Sequence, residues 1–282
     1  MELLFDWESA IKDIVHAIRW HFQNTGAEHG VIGLSGGVDS SVTTSLAVRA
    51  LGANHVKALI LPENGVTTKE DLEDAVSVAT LLGIVPETIK INPAVESFVR
   101  LVPELVVKDS EGKLRNPIAY ANIKARIRMI LLYAYANILR EAQVIGTGDK
   151  SELLIGYSTK YGDHGVDLLP LGDLYKTQVR FLAEKLGLPE RVWRKRPSPR
   201  LLPDQFAETE IGLEYELIDR ILYYRVEERH SEPKIAEELG IPLDTVKRIS
   251  RMIVQSHHKR KPPPICKIGS ATINWDWRMP TE

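Results

Sequence analysis

Ser35-Gly36-Gly37-Val38-Asp39-Ser40-Ser41 sets two glycines ahead of a carboxylate and two hydroxyls. Glycine lets a backbone pass close to a ligand, and free N–H groups at the start of a helix attract anions, so the run suits a phosphate. Asp39 adds the hard oxygen that Mg²⁺ prefers. The plainer alternatives are a glycine turn between strand and helix, with Asp39 offsetting the helix dipole. The run lacks the Gly-Lys-Ser/Thr ending of a Walker A loop and the GxGxxG spacing of a dinucleotide fingerprint. A second polar stretch holds Gly146-Thr147-Gly148-Asp149-Lys150-Ser151-Glu152 and then Ser158 to Asp167. Glu152 is a candidate second carboxylate for Mg²⁺. Taken alone, Lys160 and Asp167 read as solvated loop charges, Arg126 and Arg128 as a solvated helix face, and His258 and Lys259 as a basic helix end.

The elements that must position these residues follow from hydrophobic periodicity. Trp7, Ile11, Ile14, Val15, Ile18 and Phe22 recur at helical spacing, which predicts an amphipathic helix ending near Thr25-Gly26. Val31-Ile32-Gly33-Leu34 predicts a buried strand that enters the Ser35 turn and a helix over 39–51. The alternation continues with strand 55–61, helix 69–82, strand 87–91, helix 117–139 and strand 143–146. Strands separated by helices imply right-handed crossovers and a parallel sheet, with ligands outside the carboxyl ends of the strands. The fold class expected is α/β, a Rossmann-like parallel sheet flanked by helices. Residues 1–190 would form the nucleotide-binding core. Residues 191–282 would add a Pro-rich charged loop around 194–200 and a helical extension, with helices over 214–228, 232–239 and 243–256.

The phosphate run resembles SGGxDS, the pyrophosphate loop of the N-type ATP pyrophosphatases, which cleave ATP between the α and β phosphates. Gly146-Thr147 with Glu152, then Thr159-Lys160-Tyr161-Gly162-Asp163, then Asp167-Leu168-Leu169-Pro170-Leu171, is similar to the NAD synthetase signature. That resemblance runs from about residue 31 to 264. It implies a ligase that adenylates the carboxylate of deamido-NAD and replaces AMP with ammonia, with no side chain as covalent nucleophile. By the same resemblance Gly33, Leu34, Ser35, Gly36, Gly37, Val38, Asp39, Ser40, Thr147, Lys176 and Ser198 bind ATP. Asp39 and Glu152 hold Mg²⁺. Arg126, in Asn122-Ile123-Lys124-Ala125-Arg126-Ile127-Arg128-Met129, binds deamido-NAD together with Lys160, Asp167, His258 and Lys259. Pro199 and Arg200 follow Ser198 where relatives carry Ala, and His164 replaces a common Gly and is read as a surface-loop residue.

Bulk properties agree. A net charge of -2 gives no global pull toward nucleic acid or anionic membrane. The single cysteine, Cys266, excludes an intramolecular disulfide. With no basic, apolar leader at the start, the expected location is the cytoplasm. The longest apolar stretch, 129–139, is shorter than the roughly 20 residues of a membrane span. About thirty residues precede Ser35, too few for the glutaminase domain of glutamine-dependent relatives, so free ammonia is the expected nitrogen source. The resemblance also implies a homodimer. The alternatives are another N-type pyrophosphatase, GMP-synthetase-like or tRNA-thiolating, a non-enzymatic nucleotide sensor, or a DNA-binding protein built on the helix-turn-helix pattern at 235–249. The aromatic tail Trp275-Asp276-Trp277 is expected to dock on the domain.

Overall fold

The computed structural model describes residues 6–273, so the Trp275-Asp276-Trp277 tail lies outside the described residues. In chain order the elements are α1 (Trp7–Thr25), β1 (His29–Gly33), α2 (Val38–Leu51), β2 (Val56–Ile60), α3 (Lys69–Leu81), β3 (Glu87–Thr88), α4 (Asn92–Leu101), α5 (Pro117–Leu139), β4 (Ala142–Val144) and α6 (Lys150–Ile155). They continue with α7 (Lys176–Lys185), α8 (Glu190–Trp193), α9 (Ala207–Ile211), α10 (Tyr215–Val226), α11 (Glu232–Leu239) and α12 (Leu243–Gln255). The first helix starts where Asp6 caps the backbone N–H of Ser9 at 3.2 Å. It stops at Gly26, whose φ of 68° is open to glycine and strained for other residues.

The sheet is parallel throughout, in the order β3-β2-β1-β4, with Gly30 opposite Val56 and Gln143. Strand period decides which layer each residue joins. Ile32, Ala58 and Ile60 pack against α1, α2, α3 and α7, whereas Val31, Leu59 and Val144 pack against α4 and α5. The crossover after β1 leads to β2 on one side, and the crossover after β3 returns to β4 on the other. The chain therefore changes direction beside the carboxyl end of β1, where parallel sheets leave a crevice.

Two expected strands are shorter than the apolar pattern. Only Glu87 and Thr88 join the ladder as β3, although Ile89 N–H still donates to Ile60 O at 2.9 Å before the chain turns into α4. β4 ends at Val144: Ile145 N–H still donates to Val31 O at 2.9 Å, but Ile145 also bridges to Leu168, and Gly146 N–H turns to Leu168 O at 2.8 Å. The helices α4 and α6 to α9 fall in stretches where no element is expected. At four to six residues each, α6, α8 and α9 carry too few apolar repeats to mark a face, whereas α4 does carry one, with Ala94, Val95, Phe98 and Val99 at helical spacing against the core.

Helices α10 to α12 enclose a second core around Tyr215, Ile218, Ile235, Val246 and Ile249. That core takes in Ile155 from α6 and Tyr175 from the α/β part, so the helical extension is stitched to the loops at the sheet edge. The helix-turn-helix pattern is real as geometry, with Gly240 at φ 63° between α11 and α12. Its apolar residues serve this core.

Candidate active site

The phosphate run leaves β1 and turns into α2, whose N-cap is Gly37. Hydroxyls brace the turn from inside. Ser40 Oγ accepts from Ser35 N–H at 3.2 Å and donates to Gly37 O at 3.1 Å, and Ser41 Oγ donates to Gly37 O at 2.7 Å. With its own side chains holding the curve, the loop keeps the first N–H groups of α2 free for a ligand. Gly36 has φ 80°, and a Cβ there would lie 2.3 Å from Asp71 O, so glycine is required both by conformation and by the approach of α3.

Behind the loop lies a charge cluster. Lys176 opens α7 fully buried, with Nζ 2.8 Å from Asp39 Oδ2, 2.7 Å from Asp149 Oδ2 and 2.9 Å from Glu152 Oε1. Its backbone N–H donates to Ser151 Oγ at 2.9 Å, Ser151 donates on to Asp219, and Asp219 also accepts from Thr177 N–H at 2.8 Å. Burial works against the charge of Lys176, yet the three carboxylates hold its pKa well above the ordinary lysine value. Burial and the neighbouring acids likewise raise Glu152, and burial pushes Asp149 up to about 6 despite Lys176. The cluster holds more negative than positive charge, which is a reason for it to take up a cation.

Asp39 and Glu152 line one cavity of about 780 Å³, and Asp39 Oδ1 is buried there without a hydrogen-bond partner. An unpaired carboxylate oxygen beside a second carboxylate fits Mg²⁺, a hard cation that takes one or two carboxylates and fills its shell with phosphate and water. Among the described residues no group of three or more His, Cys, Asp or Glu gathers around one metal position.

Gly33, Leu34, Ser35, Gly37, Val38, Asp39, Ser40, Thr147, Glu152, Ser198 and Lys259 all line this cavity. Lys176 stands behind its wall, joined to Asp39 and Glu152. Ser198 turns its hydroxyl to Gln205 O and accepts from Arg200 N–H at 3.3 Å, so it braces its own loop. Lys259 donates to Gly156 O at 2.7 Å and Ser158 O at 2.6 Å.

The other residues assigned to deamido-NAD lie off this wall. Arg126 donates to Lys160 O at 3.2 Å, Asp167 accepts from Val144 N–H at 2.8 Å and from Tyr133 Oη at 3.0 Å, and His258 is exposed. His164 is not a surface residue. Its side chain is 6% exposed and packs over Gly148, where a Cβ would come 2.8 Å from Nε2, and burial holds its pKa below the ordinary histidine value.

Sequence reasoning passed over Asp149 and Asp219. Asp149 caps α6 through Glu152 N–H at 2.8 Å, and an Asp followed three residues later by Glu at a helix start was the available signal. Asp219 carries no such local mark, since its partners stand 68 and 42 residues away in sequence.

An open parallel sheet with a braced turn at its switch point and two carboxylates at the mouth of the crevice is the layout of a nucleotide-binding α/β fold. The chain belongs to the NAD synthase family, whose model matches residues 10–263. The NH(3)-dependent NAD(+) synthetase of Saccharolobus solfataricus is 46% identical over 280 residues, covering 99% of this chain and 96% of that protein. Among solved structures, the NMN synthetase of Francisella tularensis matches with TM-score 0.78 and 33% identity, covering 94% of this chain and 100% of that one. The NH3-dependent NAD synthetase of Campylobacter jejuni, in complex with nitrate, matches with TM-score 0.75 and 28% identity, covering 93% and 100%.

Replacing Lys176 by Gln leaves three neighbouring carboxylates without their cation. The expected loss is about 3–5 kcal/mol of stability, read from urea unfolding. A loss under about 1 kcal/mol would contradict the role given to Lys176.

Proposed function

We propose that this chain makes NAD by joining ammonia to the nicotinate carboxylate of deamido-NAD, at the expense of ATP, through an adenylated carboxylate. Family membership and the loop–carboxylate cavity support this reading. The single observation that carries it is the N-terminus of α2, capped by the braced turn at Ser35 to Ser41, set with Asp39 and Glu152 in one cavity. A carboxylate resists attack by ammonia because its oxygen is a poor leaving group, and adenylation makes AMP the leaving group. The carboxylate oxygen attacks the α phosphorus, the bond to the β phosphate breaks, and pyrophosphate departs with the electron pair. Ammonia then adds to the acyl carbon, loses a proton, and AMP leaves.

In this reading the residues act by position and charge. The loop N–H groups and the N-terminus of α2 take phosphate oxygens, Thr147 and Ser198 flank the nucleotide, and Lys176 fixes Asp39 and Glu152 at the spacing they need. Asp39 and Glu152 would hold Mg²⁺, which when bound neutralises phosphate charge and polarises the phosphoryl oxygens. Lys259, which lines the cavity, together with His258, Arg126, Lys160 and Asp167, would recognise deamido-NAD. Four of those five lie outside the cavity wall, and Ile118, Ile130 and Ile138 are exposed on α5. A homodimer that covers α5 would complete the substrate site, and sedimentation at the mass of two chains checks this. No helix of the described residues is long and apolar enough to cross a membrane.

The likeness to an NMN synthetase makes the mononucleotide the second acceptor to compare. Purified protein is incubated with ATP, Mg²⁺, ammonium and either deamido-NAD or nicotinate mononucleotide, and products are identified by mass spectrometry. NAD and AMP should form with deamido-NAD at the higher kcat/KM. Faster turnover of the mononucleotide would move the acceptor assignment, and no amide product from either would end the proposal. Asp39→Asn or Glu152→Gln should lower kcat by about 10²-fold or more and raise the Mg²⁺ concentration needed for half-maximal rate.

A further inference from the structure

The phosphate loop carries no lysine of its own. Lys176 beneath it is fully buried and shared by three carboxylates. The segment 195–202 lines the same cavity, and Lys195 and Arg200 share that lining with Ser35, Gly37 and Asp39. Lys195 Nζ is 3.3 Å from Gly36 O, a carbonyl of the phosphate loop itself. Both side chains are partly open to the cavity, at 21% and 24% exposure.

Their position is built rather than incidental. Lys195 Nζ lies 3.1 Å from Asp71 Oδ1 and also pairs with Asp74, and Arg200 Nε lies 2.8 Å from Asp71 Oδ2. Asp71 and Asp74 are both buried. Burial works against ionisation of Asp71, but hydrogen bonds from Thr68 and Lys195 more than offset it and keep its pKa below the ordinary value. Arg200 sits at φ 48°, a left-handed conformation that is strained for a non-glycine residue. The strain is held in place from outside: Gln205 Oε1 accepts from Leu202 N–H at 3.1 Å, and Lys124 Nζ donates to Leu201 O at 2.8 Å. Each acid also keeps a second partner. Thr68 N–H donates to Asp71 Oδ2 at 3.2 Å, and Arg191 Nε lies 2.6 Å from Asp74 Oδ1. Lys195 and Arg200 can therefore lean toward a phosphate without stranding a buried carboxylate.

We propose that Lys195 and Arg200 clamp the β and γ phosphates of ATP, and then the departing pyrophosphate, with Asp71 and Asp74 as the residues that position them. This rests on the adenylation reading above and adds the cations that the phosphate loop lacks. In the reacting complex the α–β phosphoanhydride bond breaks, the electron pair goes to pyrophosphate, and the ammonium and guanidinium groups donate hydrogen bonds to the charge that collects there. AMP carries neither the β nor the γ phosphate, so it would not feel the clamp.

The full chain is compared with K195Q, R200Q and the double variant by calorimetric titration with magnesium pyrophosphate and separately with AMP, and by steady-state kinetics. Each single change should weaken pyrophosphate binding and raise KM for ATP by about tenfold, and the double change should cost more. AMP affinity and KM for deamido-NAD should stay within about twofold of wild type, and R200K should recover part of the loss. Pyrophosphate affinity within about twofold of wild type in all variants would overturn the proposal. So would an equal loss for AMP and pyrophosphate, which is what mere loosening of the loop produces. Should a variant fail to fold, the wild type still decides: pyrophosphate should slow acetylation of Lys195, read by mass spectrometry, and AMP should not. Equal labelling with and without pyrophosphate would overturn the clamp. NAD synthesis by the wild type is scored separately, so failure of the overall reading and failure of the clamp give different results.

Discussion

Three carboxylates from separate points of the chain close on the ammonium of Lys176, and the cavity takes its shape from that contact. Asp39 comes from the first turn of α2, Asp149 caps α6, Glu152 lies within α6, and Lys176 opens α7. The paired strands β1 and β4 bring the phosphate loop beside the second polar stretch, and α2 packs on α7 through the apolar core, so the ion cluster fixes the charged side chains within that frame. A buried cluster of this kind is costly to desolvate, and its contribution to net stability is small or negative. Its worth lies in specifying one arrangement: two carboxylates held at a cavity mouth with one oxygen of Asp39 unpaired.

The same economy of charge explains the surroundings. Lys176 is held by three acids, while the cations Lys195 and Arg200 line the cavity beside the phosphate loop. Asp71 serves both the cations and the loop, because its carboxylate pairs with Lys195 and Arg200 while its carbonyl lies where only glycine at 36 leaves room. The helical extension contributes through Asp219, whose two oxygens take Ser151 and Thr177 on either side of Lys176. Distant parts of the chain thus converge on the orientation of one side chain.

Local chemistry was legible in the sequence where it is local in the fold. The turn at Ser35 to Ser41 declares itself through glycines that follow a β-branched run, and the α/β order follows from alternating periods. The family signature named Glu152 and Lys176 but not their relation, because a lysine that opens a helix reads as solvated until the fold brings in Asp39 from 137 residues away. Asp219 was invisible for the same reason. His164 reads as a loop residue, yet the missing side chain at Gly148 admits its ring. The ends of β3 and β4 could not be read either, since apolar residues continue beyond the point where the chain leaves the ladder.

The central claim is that the acceptor carboxylate itself is adenylated in this cavity. It is tested most directly with deamido-NAD labelled with ¹⁸O in both carboxylate oxygens, turned over with ATP and ammonium, and with AMP analysed by mass spectrometry. Transfer of one ¹⁸O into the phosphate of AMP, with the other retained in the amide of NAD, is the predicted result. Unlabelled AMP, with the ¹⁸O lost to pyrophosphate, inorganic phosphate or water, would contradict it.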